Sequence, residues 1–163
     1  MDRNQQYLQV VQEFVTIAGG QSDAVSLDTE ISYEHDGMLA HLSMHPRLDH
    51  VVIDIEIMQL AEPTAEPRNL ERMTLLHKLN GVTRFTHGAA AFISLDNMLV
   101  ITRTIPLAEQ SGQTLAGAVA ELLQHAASLR AAWDELRQLI SQTIQADAGQ
   151  STAGARLTVQ QFA

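Results

Sequence analysis

Seven histidines and several carboxylates on alternating apolar segments are the side chains here with the means to do chemistry. His41 and His45, in the run His41-Leu-Ser-Met-His45, are the first candidates for a metal site. On a strand they share a face, but four residues at ~3.3 Å each hold them about 13 Å apart, beyond the grip of one ion. His35 and His50 fall in flanking turns, so a cross-strand site would need Asp36 or Asp49, and no spacing of the HExxH kind occurs. Asp54 and Glu56 sit two apart on a strand, as a general acid and base might. Asp28 and Glu30 repeat the same pattern, which reads as a solvated face. His77 and His87 flank a helix with no serine or carboxylate at a telling spacing, and there is no GxSxG, P-loop or GxGxxG. A serine triad is assembled in space, and nothing in the sequence points to one. The expectation is a protein without catalytic residues, metal or cofactor. A small metal-dependent hydrolase using His41, His45, Asp54 or Glu56 is the alternative, which stoichiometric zinc in tag-free protein would revive.

The elements that carry these residues are legible from periodicity. Asn4–Ala18 places Tyr7, Val10, Phe14 and Ile17 on one stripe and ends at Gly19-Gly20, a helix with a wide apolar face and a glycine stop. Val25 to Glu34 alternates apolar and polar residues and reads as a strand. Asp36-Gly37 is a hairpin turn, followed by a strand over Met38–His45 that Pro46 stops, and by a third over Val51–Met58. Leu60–Arg68 carries two prolines and reads as a loop leading into a second helix, with Met73, Leu75, Leu76 and Leu79 on its apolar side and Asn80-Gly81 at its end.

Ala89–Leu95 and Met98–Ile105 then read as a hairpin about Asp96-Asn97, with Ala91, Ile93 and Val100 on one face and Phe92, Leu99 and Ile101 on the other. Both faces are apolar, so both need cover. After Pro106, Ser111 or Thr114 caps a last helix reaching about Gln145, whose Leu115, Val119, Leu122, Ala126, Leu129 and Trp133 form a heptad-like seam. At ~1.5 Å per residue such a helix is roughly 45–50 Å long, so its end should leave the domain or pack on a partner. The order helix, three-stranded antiparallel meander, helix, two-stranded hairpin, long helix implies an α+β fold with helices packed on a mainly antiparallel sheet. One domain is expected over residues 1–146, with 147–163 a flexible C-terminal tail.

Composition narrows the partners. The 163 residues carry 19 acidic against 10 basic side chains, a net charge of −9, and no cysteine. That balance repels nucleic acid and anionic membranes, so the expected partners are neutral or basic polypeptides. Absence of cysteine removes disulfides, thiolate zinc sites and a cysteine nucleophile. With no leader-like N-terminus and no run of about 18 apolar residues, the expectation is a soluble cytoplasmic protein. Leu39, Val52, Met58, Phe92, Leu99 and Ile101 are apolar where the polar sides of strands should be. They either pack beneath helices or in a dimer interface, or form an exposed binding patch.

Three stretches together resemble the class I type III secretion chaperones, the Tir chaperone family. They are LLHKLNG (Leu75–Gly81), the hairpin AAAFISLDNMLVITRTIPL (Ala89–Leu107), and LAGAVAELLQHAASLRAAWDEL (Leu115–Leu136) with its tryptophan beside charged residues. The resemblance covers Asn4–Leu139 in element order and Glu71–Leu136 in motif detail. It implies a bacterial cytoplasmic homodimer that binds the N-terminal chaperone-binding segment of a secreted effector and keeps it extended without ATP. It further implies dimerisation through Leu75, Leu76 and Leu79, effector contacts at the six apolar strand residues above, and the secretion-apparatus ATPase as a further partner. A dimeric scaffold or regulator of the same fold, without effector cargo, is the other reading. The last helix is longer than the family norm, and the tail is extra.

Overall fold

In a computed structural model, which describes residues 2–21, 25–27, 31–60, 72–78, 80–81 and 88–159, the centre is a five-stranded antiparallel sheet. Its strands are β1 (Ile31–His35), β2 (Met38–Met44), β3 (His50–Gln59), β4 (Ala89–Ile93) and β5 (Met98–Pro106), in the spatial order β1-β2-β3-β5-β4. α1 (Arg3–Ile17) precedes the sheet, the helical residues 72–78 (α2) lie between β3 and β4, and α3 (Gly112–Val159) ends the chain. The α+β architecture expected from periodicity is the one observed.

One face of the sheet holds the core. Val51, Ile53, Ile55 and Ile57 on β3 are at most 1% exposed, and Ala40, Leu42, Leu99 and Ile101 flank them at 3% or less. Each fully buried aliphatic side chain of this kind contributes ~1.5–3 kcal/mol, so this face is the main source of stability. α1 covers its β1–β2 end: Phe14 meets Tyr33 edge to face at 6.2 Å, and the Tyr7 hydroxyl donates to Leu42 O at 3.3 Å. The first turns of α3 bring Leu115, Val119, Leu122 and Ala126 of the expected seam into the same core.

Glu13 ties the two helices together. Its carboxylate accepts from the Gly112 amide at 2.9 Å, satisfying one of the open donors at the start of α3. That hydrogen bond holds the Glu13 carboxyl below the usual carboxylate range. The expected cap is a reciprocal one. The Ser111 amide donates to Thr114 Oγ1 at 2.7 Å, and the Thr114 amide donates to Ser111 Oγ at 3.2 Å.

Three expectations are corrected. The first strand is not Val25–Glu34 but Ile31–His35, and Val25–Leu27 are not in a strand. Ile31 pairs with Leu42, and β2 ends two residues further on at Met44. Among the described residues no strand pairs with Val25–Leu27, however strand-like their alternation.

The second correction is at the β4–β5 turn. Ser94 donates to Met98 O, Asn97 donates to Ser94 O, and Asn97 has φ 59°. This is a three-residue loop, Leu95-Asp96-Asn97, closed by a left-handed residue, rather than a two-residue turn. The pairing becomes Phe92 with Val100 and Ile93 with Leu99. A slip of one residue moves side chains to the opposite face, so Leu99 and Ile101 lie on the side away from Phe92.

The third concerns α3, which continues to Val159 through residues expected to form a loose tail. Alanine and glutamine favour helix there, and isolated glycines cost only ~1 kcal/mol each. Residue contacts divide the chain into Met1–Ala127 and Ser128–Ala163, not near residue 146. The second unit is the remainder of α3 and the C-terminal residues. The expected Leu60–Arg68 loop lies mostly outside the described residues, as do Leu79 and His87.

Candidate functional site

The face of the sheet opposite the core is where the sequence candidates can be sorted. Cross-strand partners share a face, and the register defines two neighbouring rows there. One runs Glu34, Leu39, Glu56, Val100, Phe92, and the next Ser32, His41, Asp54, Thr102, Ala90. Val52 lies in a third row between Ser43 and Thr104. Leu39 and Val52 are half-buried, and Phe92 is 41% exposed. These three are the sequence candidates that the open face brings together.

The other three are placed elsewhere. Leu99 and Ile101 are 0% exposed in the core, a consequence of the hairpin register, and are removed from the set of surface residues. A β-bulge in β3 between Glu56 and Met58 sets Met58 opposite Leu99, because an inserted residue shifts the alternation by one. Met58 thereby leaves the row of Leu39 and Glu56.

Sequence reading missed two residues. Val100, between Glu56 and Phe92 in the open row, is buried at 5% exposure and only floors the surface, while Leu27, 44% exposed, borders it. The register alone reveals Val100. Leu27 had been read as part of a strand that does not extend so far. A groove of about 760 Å³ runs here, with His41, Asp54, Glu56, Phe92, Val100 and Leu27 among the side chains lining it.

The polar groups of this face form one chain across three strands. The Ser32 hydroxyl is 3.1 Å from His41 Nδ1, and His41 Nε2 is 3.6 Å from a Glu56 carboxylate oxygen. Serine, histidine and acid thus meet, but on a flat ladder whose backbone N–H groups serve the neighbouring strands. Acyl transfer needs donors aimed at an oxyanion, and a ladder supplies none. His45 is occupied differently: its Nδ1 accepts from the amides of Arg47 and Leu48 at 3.2 and 3.0 Å, holding the β2–β3 turn. Among the described residues no group of three histidines or carboxylates is placed to hold a metal ion.

The sheet edges differ from each other. β1 and β4 are the outer strands. At β4 the Asn80 side chain acts as a neighbouring strand would. Its amide donates to Ala91 O at 2.8 Å, and its carbonyl accepts from the Ala91 amide at 2.6 Å.

Of the expected dimer residues, Leu75 and Leu76 are buried within the single chain at 8% and 7%, and it is Met73, 63% exposed, that α2 turns outward. Arg103 lies on the core side of β5, where its guanidinium bonds Glu121 of α3 at 2.7 Å. The open face is left without an arginine or lysine on its described strands.

No protein-family model matches the chain, and a search of curated proteins finds no match. Solved structures do match. A chain of the ExsC–ExsE complex superposes with a TM-score of 0.62 at 18% identity, over 80% of this chain and 95% of that one. A chain of the HopA1–SchA chaperone–effector complex gives 0.56 at 16% identity, over 78% and 94%. A chain of the ExoT–SpcS complex from Pseudomonas aeruginosa gives 0.55 at 13% identity, over 77% and 97%. The protein shares the fold of these chains, which is the fold the sequence resemblance implied.

Proposed function

We propose that the protein is a type III secretion chaperone that binds the N-terminal segment of a secreted effector and holds it extended, by binding alone and without ATP. The observation that carries this reading is the shared fold. A chain superposing over 78% of this one comes from a chaperone–effector complex, and others come from two further binary complexes. The open face adds physical support. Leu39, Val52, Phe92 and Leu27 leave apolar surface on a chain whose core is already filled, and surface of this kind marks binding.

β1 offers an outer edge for main-chain pairing with an extended segment, where pockets on the adjoining face select side chains. The edge of β4 is occupied at Ala91 by Asn80, which favours β1. Function as a homodimer in the bacterial cytoplasm, delivering cargo to the secretion-apparatus ATPase, belongs to the same reading. In it Met73 meets the partner subunit while Leu75 and Leu76 support α2 from within.

Co-expression with the product of the adjacent gene tests the reading. A stable complex with a secreted protein, lost when that protein's N-terminal segment is deleted, is the expected result. Failure to co-purify with any secreted protein encoded nearby overturns it.

A further inference from the structure

The open face has a chemical pattern as well as apolar surface, and the pattern specifies what should lie on it. Along the row Phe92, Val100, Glu56, Leu39, successive residues come from β4, β5, β3 and β2. Strands are ~4.8 Å apart, so Glu56 stands roughly 10 Å and Leu39 roughly 14 Å from Phe92 across the sheet. An extended segment presents alternate side chains to one surface at intervals of ~6.8 Å. A side chain seated between Phe92 and Val100 is followed, two residues on, by one over Glu56, and two further on by one beside Leu39.

Charge decides between occupants. Glu34, Asp54 and Glu56 share the face with His41, and no arginine or lysine of the described strands lies on it, Arg103 being on the core side. A second copy laid face to face here would oppose these carboxylates with their own kind, within a chain of net charge −9. Like charges juxtaposed at an interface oppose association. A segment with a cation at its centre meets the opposite sign.

We infer that this face takes an extended segment of another protein with the pattern apolar-x-(Arg/Lys)-x-apolar. The flanking apolar side chains occupy the Phe92–Val100 and Leu39 positions, and the cation lies over Glu56 and Asp54. This rests on the chaperone reading, which it deepens by stating the chemistry of the bound segment.

Fluorescence anisotropy tests it with a labelled peptide, Ser-Gly-Ile-Ser-Arg-Ser-Ile-Gly-Ser, and its counterpart carrying Glu at the central position. The arginine peptide is expected to bind at least about tenfold more tightly at low salt, with the difference shrinking as salt screens the pair. In Glu56→Gln combined with Asp54→Asn that preference should collapse to within about twofold. Phe92→Ser should weaken both peptides together. Equal binding of the two peptides, no measurable binding of either, or a preference unchanged in the neutralised variant overturns the inference.

Its failure is distinguishable from failure of the chaperone reading. An effector that co-purifies equally well with the wild type and the neutralised variant upholds the chaperone and discards the charge pattern. Wild-type protein that captures no effector yet retains the peptide preference does the reverse.

Discussion

Asn80 completes the hydrogen bonding of Ala91 on both its amide and its carbonyl, at 2.6 and 2.8 Å, so one side chain closes an edge of the sheet. Sheet edges left open are templates for unwanted pairing. Asn80→Ala leaves both Ala91 groups without this partner, and should cost about 1–3 kcal/mol. Urea denaturation should show a lower midpoint with an unchanged slope, and light scattering should show association into species larger than those the wild type forms at the same concentration.

Gly112, at the start of α3, lies against the backbone of α1. A methyl group there would collide with Glu13 Cβ and stand 2.7 Å from the Phe14 amide nitrogen, which is backbone and cannot swing aside. Gly112→Ala should therefore destabilise by about 1–3 kcal/mol, a fall in Tm of several degrees by calorimetry. Helix propensity alone would favour alanine at this position, so a rise in Tm would show that the approach is looser than described.

The hairpin register makes a paired prediction. Leu99→Ala opens a cavity at a fully buried site and should cost about 2–5 kcal/mol. Phe92→Ala, at a side chain 41% exposed, should change stability far less while reducing capture of the partner segment. Denaturation of both variants beside a binding assay separates the two roles, and equal destabilisation would return Phe92 to the core.

Among the described residues, Glu13 and Tyr7 each give a pH-dependent prediction. The carboxyl of Glu13 titrates below the usual carboxylate range in the folded chain because it accepts the Gly112 hydrogen bond. Its contribution is complete above the unfolded value and is lost as pH falls through the lower folded value. The Tm difference between wild type and Glu13→Gln should thus narrow in acid.

Burial pushes the Tyr7 phenol up from 10.0 to about 12. Its contribution is complete below the unfolded value and is lost as pH rises towards the folded one. Tyr7→Phe should flatten the alkaline decline, and an identical decline in both proteins would refute the assignment.

Much of the architecture was legible in the chain itself. Asp36-Gly37 adopts positive φ at both positions, 51° and 71°, as a two-residue hairpin requires. Of the stripe Tyr7, Val10, Phe14 and Ile17, the first three are buried as their spacing implied, while Ile17 at the helix end is 50% exposed. Local signals of this kind work because turn chemistry and periodicity act within a few residues. The surface was partly legible: Leu39, Val52 and Phe92 do lie on the open face, Leu99 and Ile101 were assigned to the wrong face, and the positions of Val100 and Leu27 were missed.

The sequence by itself determined the elements, their order and the acidic, cysteine-free character that restricts the partners. Tertiary structure decided which apolar residues are surface. The parity of a strand depends on loop length and on a single bulge, and the extent of β1 depends on where β2 stops. Those are relations between strands distant in sequence, and one residue of slip exchanges core for surface along the whole of β5. Only pairing resolves whether Phe92 stands beside Val100 and Glu56 on the open face or beside Leu99 and Ile101 in the core.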